Sequence, residues 1–278
     1  MKNHLLFGLL IIMSLTACQK DFALLPKSKD KAGLLVKEIK YFHKLDDGTE
    51  PSKTDSTLYF YNDQKLLIRK ENYDLGAIQT IVRVEVYTYD GRKRLIKEQT
   101  ENLNGSVFRH TEYTYKGNSK RISTETKFNQ AEENPHTHYE YEYNDKGQMI
   151  KMDRYNMGYS QLDNNATKMG LPFASTTEYY YKNNGSLRMS VFRPVYSTNF
   201  IKSVYIYNEA NMLTEEYRDE ILMNSYTYEA DGLVKKFNGL GTLVEEVQYD
   251  KVGQIVSSKR FLSRSNSTRV YLTDYTYK

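Results

Sequence analysis

Residues 226–261 read YTYEADGLVKKFNGLGTLVEEVQYDKVGQIVSSKRF, and this stretch contains one short phrase twice. In each copy a tyrosine ends an alternating segment, a four-residue polar turn follows and ends in glycine, and aliphatic residues come next. The first copy contains Tyr228 and Gly232, and the second contains Tyr249 and Gly253. Alternation on both sides of a short polar turn is typical of a β-hairpin. The stretch therefore predicts two consecutive hairpins.

The same phrase recurs along the rest of the chain. Earlier copies contain the pairs Tyr59/Tyr61, Tyr87/Tyr89, Tyr113/Tyr115, Tyr141/Tyr143, Tyr179/Tyr181 and Tyr205/Tyr207. The second tyrosines of successive copies lie 21 to 38 residues apart. At the C-terminus, Tyr275 and Tyr277 begin a phrase that the chain does not finish.

The turn of the phrase has its own chemistry. Asn or Asp after the tyrosine can bond to the backbone two residues on, and Gly or Asn three residues later supplies a positive φ. Residues of this kind occupy that position in five copies: Gly147, Gly185, Asn211, Gly232 and Gly253. Lys65, Lys93 and Ser119 replace them in the early copies, so we expect those three turns to be looser or differently built.

The fold class that follows is all-β. We predict a long antiparallel meander of repeated hairpins over residues 34–278, with roughly 16 to 18 strands of ordinary length. It forms one curved or twisted sheet, either open or partly closed like a barrel. The phrase residues are interpreted as structural repeats, namely Tyr143, Gly147, Tyr181, Gly185, Tyr228, Gly232, Tyr249 and Gly253.

The tyrosine ladders allow two interpretations. With 26 Tyr and 11 Phe but no Trp, tyrosine is the main aromatic residue of the chain. Tyrosines in register on one sheet face could form a platform for sugar or peptide. We favour a packed face instead, because the returning arm of each copy carries Leu, Ile or Met at a matching height.

The N-terminus carries a targeting signal. Residues 1–17 have the short basic and apolar regions of a secretory signal peptide. Leu15 to Cys18 (LTAC) resembles the lipobox of bacterial lipoproteins, which implies a lipid on Cys18 and a membrane as partner. The residues after Cys18 resemble those of outer-membrane lipoproteins and the export tag of Bacteroidetes surface lipoproteins. Residues 18–33 are predicted to be a lipid-anchored, flexible tether.

The repeated phrase resembles the YD repeat, also called the RHS repeat, over about Leu58–Lys278. Tyr249–Ile255 matches the motif best, and Tyr143–Met149 comes next. Spacing is irregular, and several copies lack the glycine. In the large toxin and wall-associated members the repeats form a β-sheet spiral around a cargo. For this chain the resemblance implies a repeat sheet outside the cell that could contact sugars.

Candidate contact residues lie where the repeat is interrupted. An insertion, Asn156–Thr176, separates two copies, and such long segments in a compact meander are often functional or disordered. Aromatic residues outside the phrase are expected to be the more exposed ones. The candidate ligand contacts are Tyr155, Tyr159, Met169, Phe173 and Tyr196.

Catalytic and metal-binding patterns are weak. His136 and His138 would share one strand face, but no third ligand is fixed nearby, so we interpret them as exposed loop histidines. The acidic pairs Glu132–Glu133, Glu215–Glu216 and Glu245–Glu246 should point to opposite faces of their strands. We therefore predict no catalytic residue, metal or cofactor. The net charge of +4, from 39 basic and 35 acidic side chains, gives no reason to expect nucleic-acid binding.

The functional prediction is a lipoprotein anchored in the outer membrane or on the cell surface. Its role would be non-enzymatic binding or adhesion, with a glycan, a peptide or a surface protein as partner. One alternative is an accessory or hydrolytic component of polysaccharide processing. The other is a membrane β-barrel, which would need an apolar outer face that most strands do not supply.

Overall fold

A computed structural model describes residues 34–44, 50–75, 80–102, 104–129, 134–157, 167–264 and 267–277. The predicted signal peptide, Cys18, the tether, Tyr159 and the pair Glu132–Glu133 lie outside these residues. Within the described ranges no helix is long and apolar enough to cross a membrane.

The described residues form 19 strands and no helix. The first ten are β1 (Leu35–Lys44), β2 (Ser52–Tyr61), β3 (Leu67–Asp74), β4 (Thr80–Tyr89), β5 (Leu95–Glu101), β6 (Val107–Tyr115), β7 (Ile122–Asn129), β8 (Thr137–Tyr143), β9 (Met149–Asn156) and β10 (Thr167–Lys168). The others are β11 (Leu171–Tyr181), β12 (Leu187–Pro194), β13 (Ile201–Tyr207), β14 (Leu213–Arg218), β15 (Ile221–Tyr228), β16 (Leu233–Asn238), β17 (Leu243–Tyr249), β18 (Ile255–Arg264) and β19 (Ser267–Tyr277).

The strands make one closed antiparallel sheet. Each strand pairs with the next along the chain, except that β9 pairs with β11 and the two-residue β10 forms a small hairpin on β11. β1 pairs with β2 on one side and with β19 on the other. The closure leaves a barrel of 18 strands, which confirms the predicted all-β meander and decides between its open and closed forms.

The seam of the barrel completes the unfinished C-terminal phrase. Tyr277 lies opposite Leu35 in the β19–β1 pair. In most other phrases the second tyrosine lies opposite the first aliphatic residue of its own returning arm in the same way, as Tyr61 does with Leu67. The first strand of the chain therefore serves as the returning arm of the last phrase, and nine hairpin units close the barrel.

A repeated hydrogen bond links neighbouring units. The hydroxyl of the second tyrosine donates to the backbone carbonyl of the residue that begins the previous returning arm, for example from Tyr89 to Leu67 over 2.8 Å. The same bond joins Tyr61 to Leu35, Tyr115 to Leu95, Tyr143 to Ile122, Tyr181 to Met149 and Tyr228 to Leu213. A buried hydroxyl needs such a partner, so the bond explains why tyrosine rather than phenylalanine recurs here.

The turns follow the predicted chemistry. The Asp90 carboxylate accepts from the backbone N–H of Arg92 and of Arg94, and Asp250 does the same for Val252 and Gln254. Positive φ values occur at Gly147, Gly185, Asn211, Gly232 and Gly253, as expected.

The expectation for the lysine turns was wrong. Lys65 and Lys93 adopt φ values of 60° and 62°, and each donates its N–H to the carbonyl at the start of its turn, as the glycines do. Their turns therefore have the ordinary form despite the steric cost of a left-handed Cβ. The Ser119 turn is built differently, as expected, because its positive φ falls on Gly117.

Replacing Lys65 or Lys93 with glycine should raise the free energy of unfolding by about 1 kcal/mol each, since glycine adopts positive φ without this cost. Urea denaturation of the single and double variants measures the gain. Lys146→Gly is the control, because it lies one residue before the positive-φ position of its turn. An equal gain in Lys146→Gly would contradict the explanation.

Candidate functional site: the inner face of the barrel

The two faces of the sheet differ in exposure. Tyr179 is 9% exposed and Tyr87 is 4% exposed, whereas Tyr180, on the opposite face, is 42% exposed. Side chains on the concave side of a closed sheet are crowded together. The face that carries the paired tyrosines is therefore the inner face, and the other is the outer face.

Tyrosines and carboxylates line the inner face near the phrase turns. Tyr59 donates to Glu38 over 2.7 Å, Tyr87 donates to Glu85 over 2.7 Å, and Tyr141 donates to Glu125 over 2.7 Å. Tyr113 donates to Glu98 over 3.3 Å in the same way. We call this set of paired side chains the tyrosine–carboxylate zone. Its hydrogen bonds satisfy groups that burial would otherwise penalise.

Electrostatics in this zone keep the tyrosines neutral. Burial, with the nearby carboxylates, raises the pKa of Tyr59, Tyr87 and Tyr113 far above the ordinary tyrosine value. Burial also raises the pKa of Tyr61 and of Tyr143 to about 12. The phenols therefore stay protonated throughout the physiological pH range. Tyr59, Tyr87 and Tyr113 donate to carboxylates, and Tyr61 and Tyr143 donate to backbone carbonyls.

The pKa values of two neighbouring carboxyl groups in the zone are shifted in opposite directions. Burial and the charge of Glu85 raise the pKa of Glu98. Burial acts to raise the pKa of Glu85 too, but Lys70 and the Tyr87 hydroxyl outweigh it, and the pKa is lowered. Lys70 Nζ lies 3.2 Å from Glu85 Oε2.

Further from the phrase turns, the inner face is basic. Five arginines, which we call the inner arginines, are paired in register with residues of this face: Arg83 with Asn72, Arg109 with Thr100, Arg154 with Tyr139, Arg218 with Ser203 and Arg260 with Glu245. For each arginine, the residue two positions away on the same strand lies at the level of the tyrosine–carboxylate zone. Lys40 and Lys127 occupy the same level and each contacts the carboxylate two residues earlier, at 3.6 Å and 2.9 Å.

The five inner arginines share one electrostatic feature. No ion pair within 4.0 Å joins any of the five to a carboxylate among the described residues. Arg83, Arg109, Arg218 and Arg260 are exposed, and Arg154 has a buried Nε without a hydrogen-bond partner. Several outer-face cations are paired, as in Arg69–Glu71 at 2.8 Å and Arg193–Glu178 at 3.3 Å. Within the inner set, Arg109 donates from Nε to the Thr100 hydroxyl over 3.2 Å.

The insertion covers part of the outer face. Leu171–Thr176 belongs to β11 rather than to a loop, and β10 precedes it. Lys168 lies 3.0 Å from Glu140, and the Thr126 hydroxyl lies 3.8 Å from Met169 Sδ. The insertion therefore packs back onto β7 and β8, which the sequence alone did not predict.

Two side chains predicted to be exposed are buried, because the insertion packs over them. Tyr155 is 7% exposed and meets the Phe173 ring edge-on at 5.4 Å. His138 is 5% exposed, and its Nδ1 lies 2.9 Å from the Thr126 hydroxyl. Tyr196 is exposed, as expected, and Met169 is exposed as well. The ligand contacts proposed for these residues remain predictions.

The acidic pairs are arranged as predicted. Glu216 lies on the inner face opposite Tyr205, while Glu215 lies opposite Ile206 on the outer face. Glu245 and Glu246 are divided in the same way, opposite Lys236 and Lys235. The inner arginines were not predicted as a site from the sequence. The one available signal was that they have the same strand parity as the tyrosines, but several of them lie outside the repeated Tyr-x-Tyr phrase.

Protonation of buried His138 and half-buried His110 should make the fold less stable in mild acid. Burial lowers the pKa of His138 and of His110, so the unfolded chain takes up these protons first as the pH falls. The stability that the neutral histidine side chains provide is fully present above the ordinary histidine pKa of about 6.5 and is lost progressively below it.

Urea denaturation at pH 7 and at about pH 5.5 tests this expectation. His138→Gln should reduce the loss of unfolding free energy between the two pH values, and His110→Gln/His138→Gln should reduce it further. A loss that is the same in the wild type and the double variant would show that other groups control the pH dependence.

No protein-family model matches this chain, and no curated protein matches it either. Among solved structures, it is similar to a porin-like protein from Bacteroides uniformis at 13% identity and a TM-score of 0.44, covering 91% of this chain and 99% of the other. It is similar to a TcdB2–TccC3 chain at 10% identity and a TM-score of 0.41, and to a chain of the Photorhabdus luminescens Tc holotoxin pore at 13% and 0.41. This chain spans only 15% and 14% of those two toxin chains. These likenesses assign no function.

Proposed function

We propose that the protein is a lipid-anchored binding protein of the outer membrane or cell surface, and that its ligand binds to the inner face of the barrel. The supporting observation is the chemistry of that face. Buried aliphatic residues such as Leu67, Leu187 and Leu213 lie on this face beside the phrase turns. Further along the strands the face carries tyrosines, carboxylates and exposed arginines, whereas a sheet closed around a fully packed core would carry mainly aliphatic side chains there. Barrels of about 16 to 18 strands are wide enough to hold a water-filled lumen.

The outer face favours a lipid anchor over strands that cross the membrane. Ion pairs on this face include Arg69–Glu71, Lys97–Glu112, Lys151–Asp153 and Arg193–Glu178. A lysine or arginine facing lipid near the membrane midplane costs about 2–4 kcal/mol. Closure of the sheet is the geometry of a membrane barrel, and the outer face exposes apolar residues such as Phe60, Phe108 and Ile206. The ion pairs on that face nevertheless suit a barrel that stands in water beside the membrane.

Fractionation of the expressing cells tests the anchor. The wild-type protein should sediment with outer membranes and gain the mass of a lipid modification at Cys18. The Cys18→Ala variant without residues 1–17 should stay in solution without detergent. A requirement for detergent in that variant would contradict the proposal and favour a membrane barrel.

A second candidate function is hydrolysis of a polysaccharide. The observation in its favour is the pair Glu85 and Glu98, whose carboxyl pKa values are shifted in opposite directions on one inner surface, as in general acid–base pairs. Reducing-end release from polysaccharides by the purified protein, abolished by Glu98→Gln, would establish this function. The absence of release, together with retained ligand binding in Glu98→Gln, would leave the binding function.

A further inference from the structure

We infer that the inner arginines form a binding site for an acidic oligosaccharide, a sugar chain that carries carboxylate groups. The inference rests on the proposed function, because it needs a ligand on the inner face. It adds the chemical class of that ligand and the residues that select it. Three observations carry it: the unpaired arginines, the neutral groups between them and the closure of the sheet.

The first observation is positive charge without an ion-pair partner. The five inner arginines have no carboxylate partner among the described residues, whereas Lys40, Lys70 and Lys127 on the same face contact Glu38, Glu85 and Glu125. A guanidinium presents planar, paired N–H donors that match a carboxylate. Four of the five arginines are exposed, so an anion could reach them. Arg109, one of these four, also donates to the Thr100 hydroxyl over 3.2 Å.

The second observation is the set of neutral groups at the same level. Partly exposed hydroxyl and amide side chains lie at the level of the arginines around the wall: Asn72, Thr111, Ser203, Asn224, Asn238 and Thr273. Such groups both donate and accept hydrogen bonds, as sugar hydroxyls do. Tyr139 adds an aromatic ring beside Arg154, with Lys127 Nζ 5.1 Å from the ring centroid.

The third observation argues against an acidic peptide. Extended peptides are commonly bound by adding a strand to a free sheet edge. In the described part of the chain all 18 strands of the barrel have a neighbour on both sides, so no such edge is presented. A ligand inside the barrel must therefore be recognised through side chains. An oligosaccharide with a carboxylate on each sugar ring presents groups that side chains can recognise in this way.

Calorimetric titration of the full-length protein tests the inference, with hexagalacturonate as the acidic probe and maltohexaose as the neutral one. The wild type should bind hexagalacturonate at least tenfold more tightly, and added salt should weaken binding. Arg154→Gln/Arg218→Gln should lose at least tenfold in affinity. The control is Arg69→Gln/Arg193→Gln, which removes the same charge from the outer face and should leave the affinity unchanged.

Other outcomes separate this inference from the proposed function. Equal binding of both sugars, reduced by substitutions on the inner face, would retain an inner-face ligand and overturn its acidic character. Tighter binding of polyglutamate than of hexagalacturonate would point to a peptide and overturn the inference. An equal loss of affinity in the inner-face and outer-face variants would mean that net charge alone controls binding, and would overturn the inference. Failure of every probe to bind would overturn it too. Matching unfolding midpoints show that the variants remain folded.

Discussion

Replacing Gly239 with alanine should lower the free energy of unfolding by about 3 kcal/mol. A Cβ atom at this position would lie 1.9 Å from the carbonyl oxygen of Leu222 on the neighbouring strand. The obstacle is backbone, so no side-chain rotation relieves it. The strands cannot easily separate, since Asn224 and Asn238 are paired in register beside the contact.

Two other glycines provide graded controls. Gly91 has open space around its Cβ position and no positive φ, so Gly91→Ala should change stability by less than about 0.5 kcal/mol. Gly241 also has open space but a φ of 76°, so Gly241→Ala should cost about 1 kcal/mol through backbone strain alone. Urea denaturation measures all three variants. If Gly239→Ala cost no more than Gly241→Ala, the close approach of the two strands would be wrong.

Replacing Leu187 with alanine should lower the free energy of unfolding by about 3 kcal/mol, because it removes a buried side chain and leaves a cavity. Leu187 is 2% exposed and lies opposite Tyr181 at the start of a returning arm. Leu213 has the same position in the next unit and is also 2% exposed. Leu213→Ala should therefore destabilise the protein to a similar extent.

Leu240 is the matched control for this prediction. It is 91% exposed, so Leu240→Ala makes the same chemical change without creating a cavity and should change stability by less than about 0.5 kcal/mol. Thermal and urea unfolding compare the three variants. Equal stability of Leu187→Ala and Leu240→Ala would mean that the leucines at the start of the returning arms are loosely packed. That result would contradict their close packing against the tyrosines.

Much of the local structure could be predicted from the sequence. Alternation predicted strands with the paired tyrosines on one face, and the four-residue polar turns ending in glycine predicted the hairpin ends. Both features act over a few residues, so they are written into the chain directly. The lysine turns were mispredicted because the hairpin hydrogen bonds at Lys65 and Lys93 override the preference of a single residue for negative φ.

The candidate site was harder to predict for a physical reason. Burial of Tyr155 and His138 depends on the insertion that folds over them, which involves side chains far apart in the sequence. The inner arginines are distributed over five strands, and no local pattern marks them as one surface. They share a level only because the strand registers bring them there.

The sequence by itself determined the repeating unit of this protein: a hairpin with paired tyrosines, a polar turn and an aliphatic returning arm. Only the tertiary structure decided that nine units close into a barrel, because β1 and β19 must meet from opposite ends of the described chain. Closure depends on the number of strands and on their register, which no single hairpin specifies. It also turned one face of the sheet inward, where tyrosines, carboxylates and unpaired arginines make the candidate site.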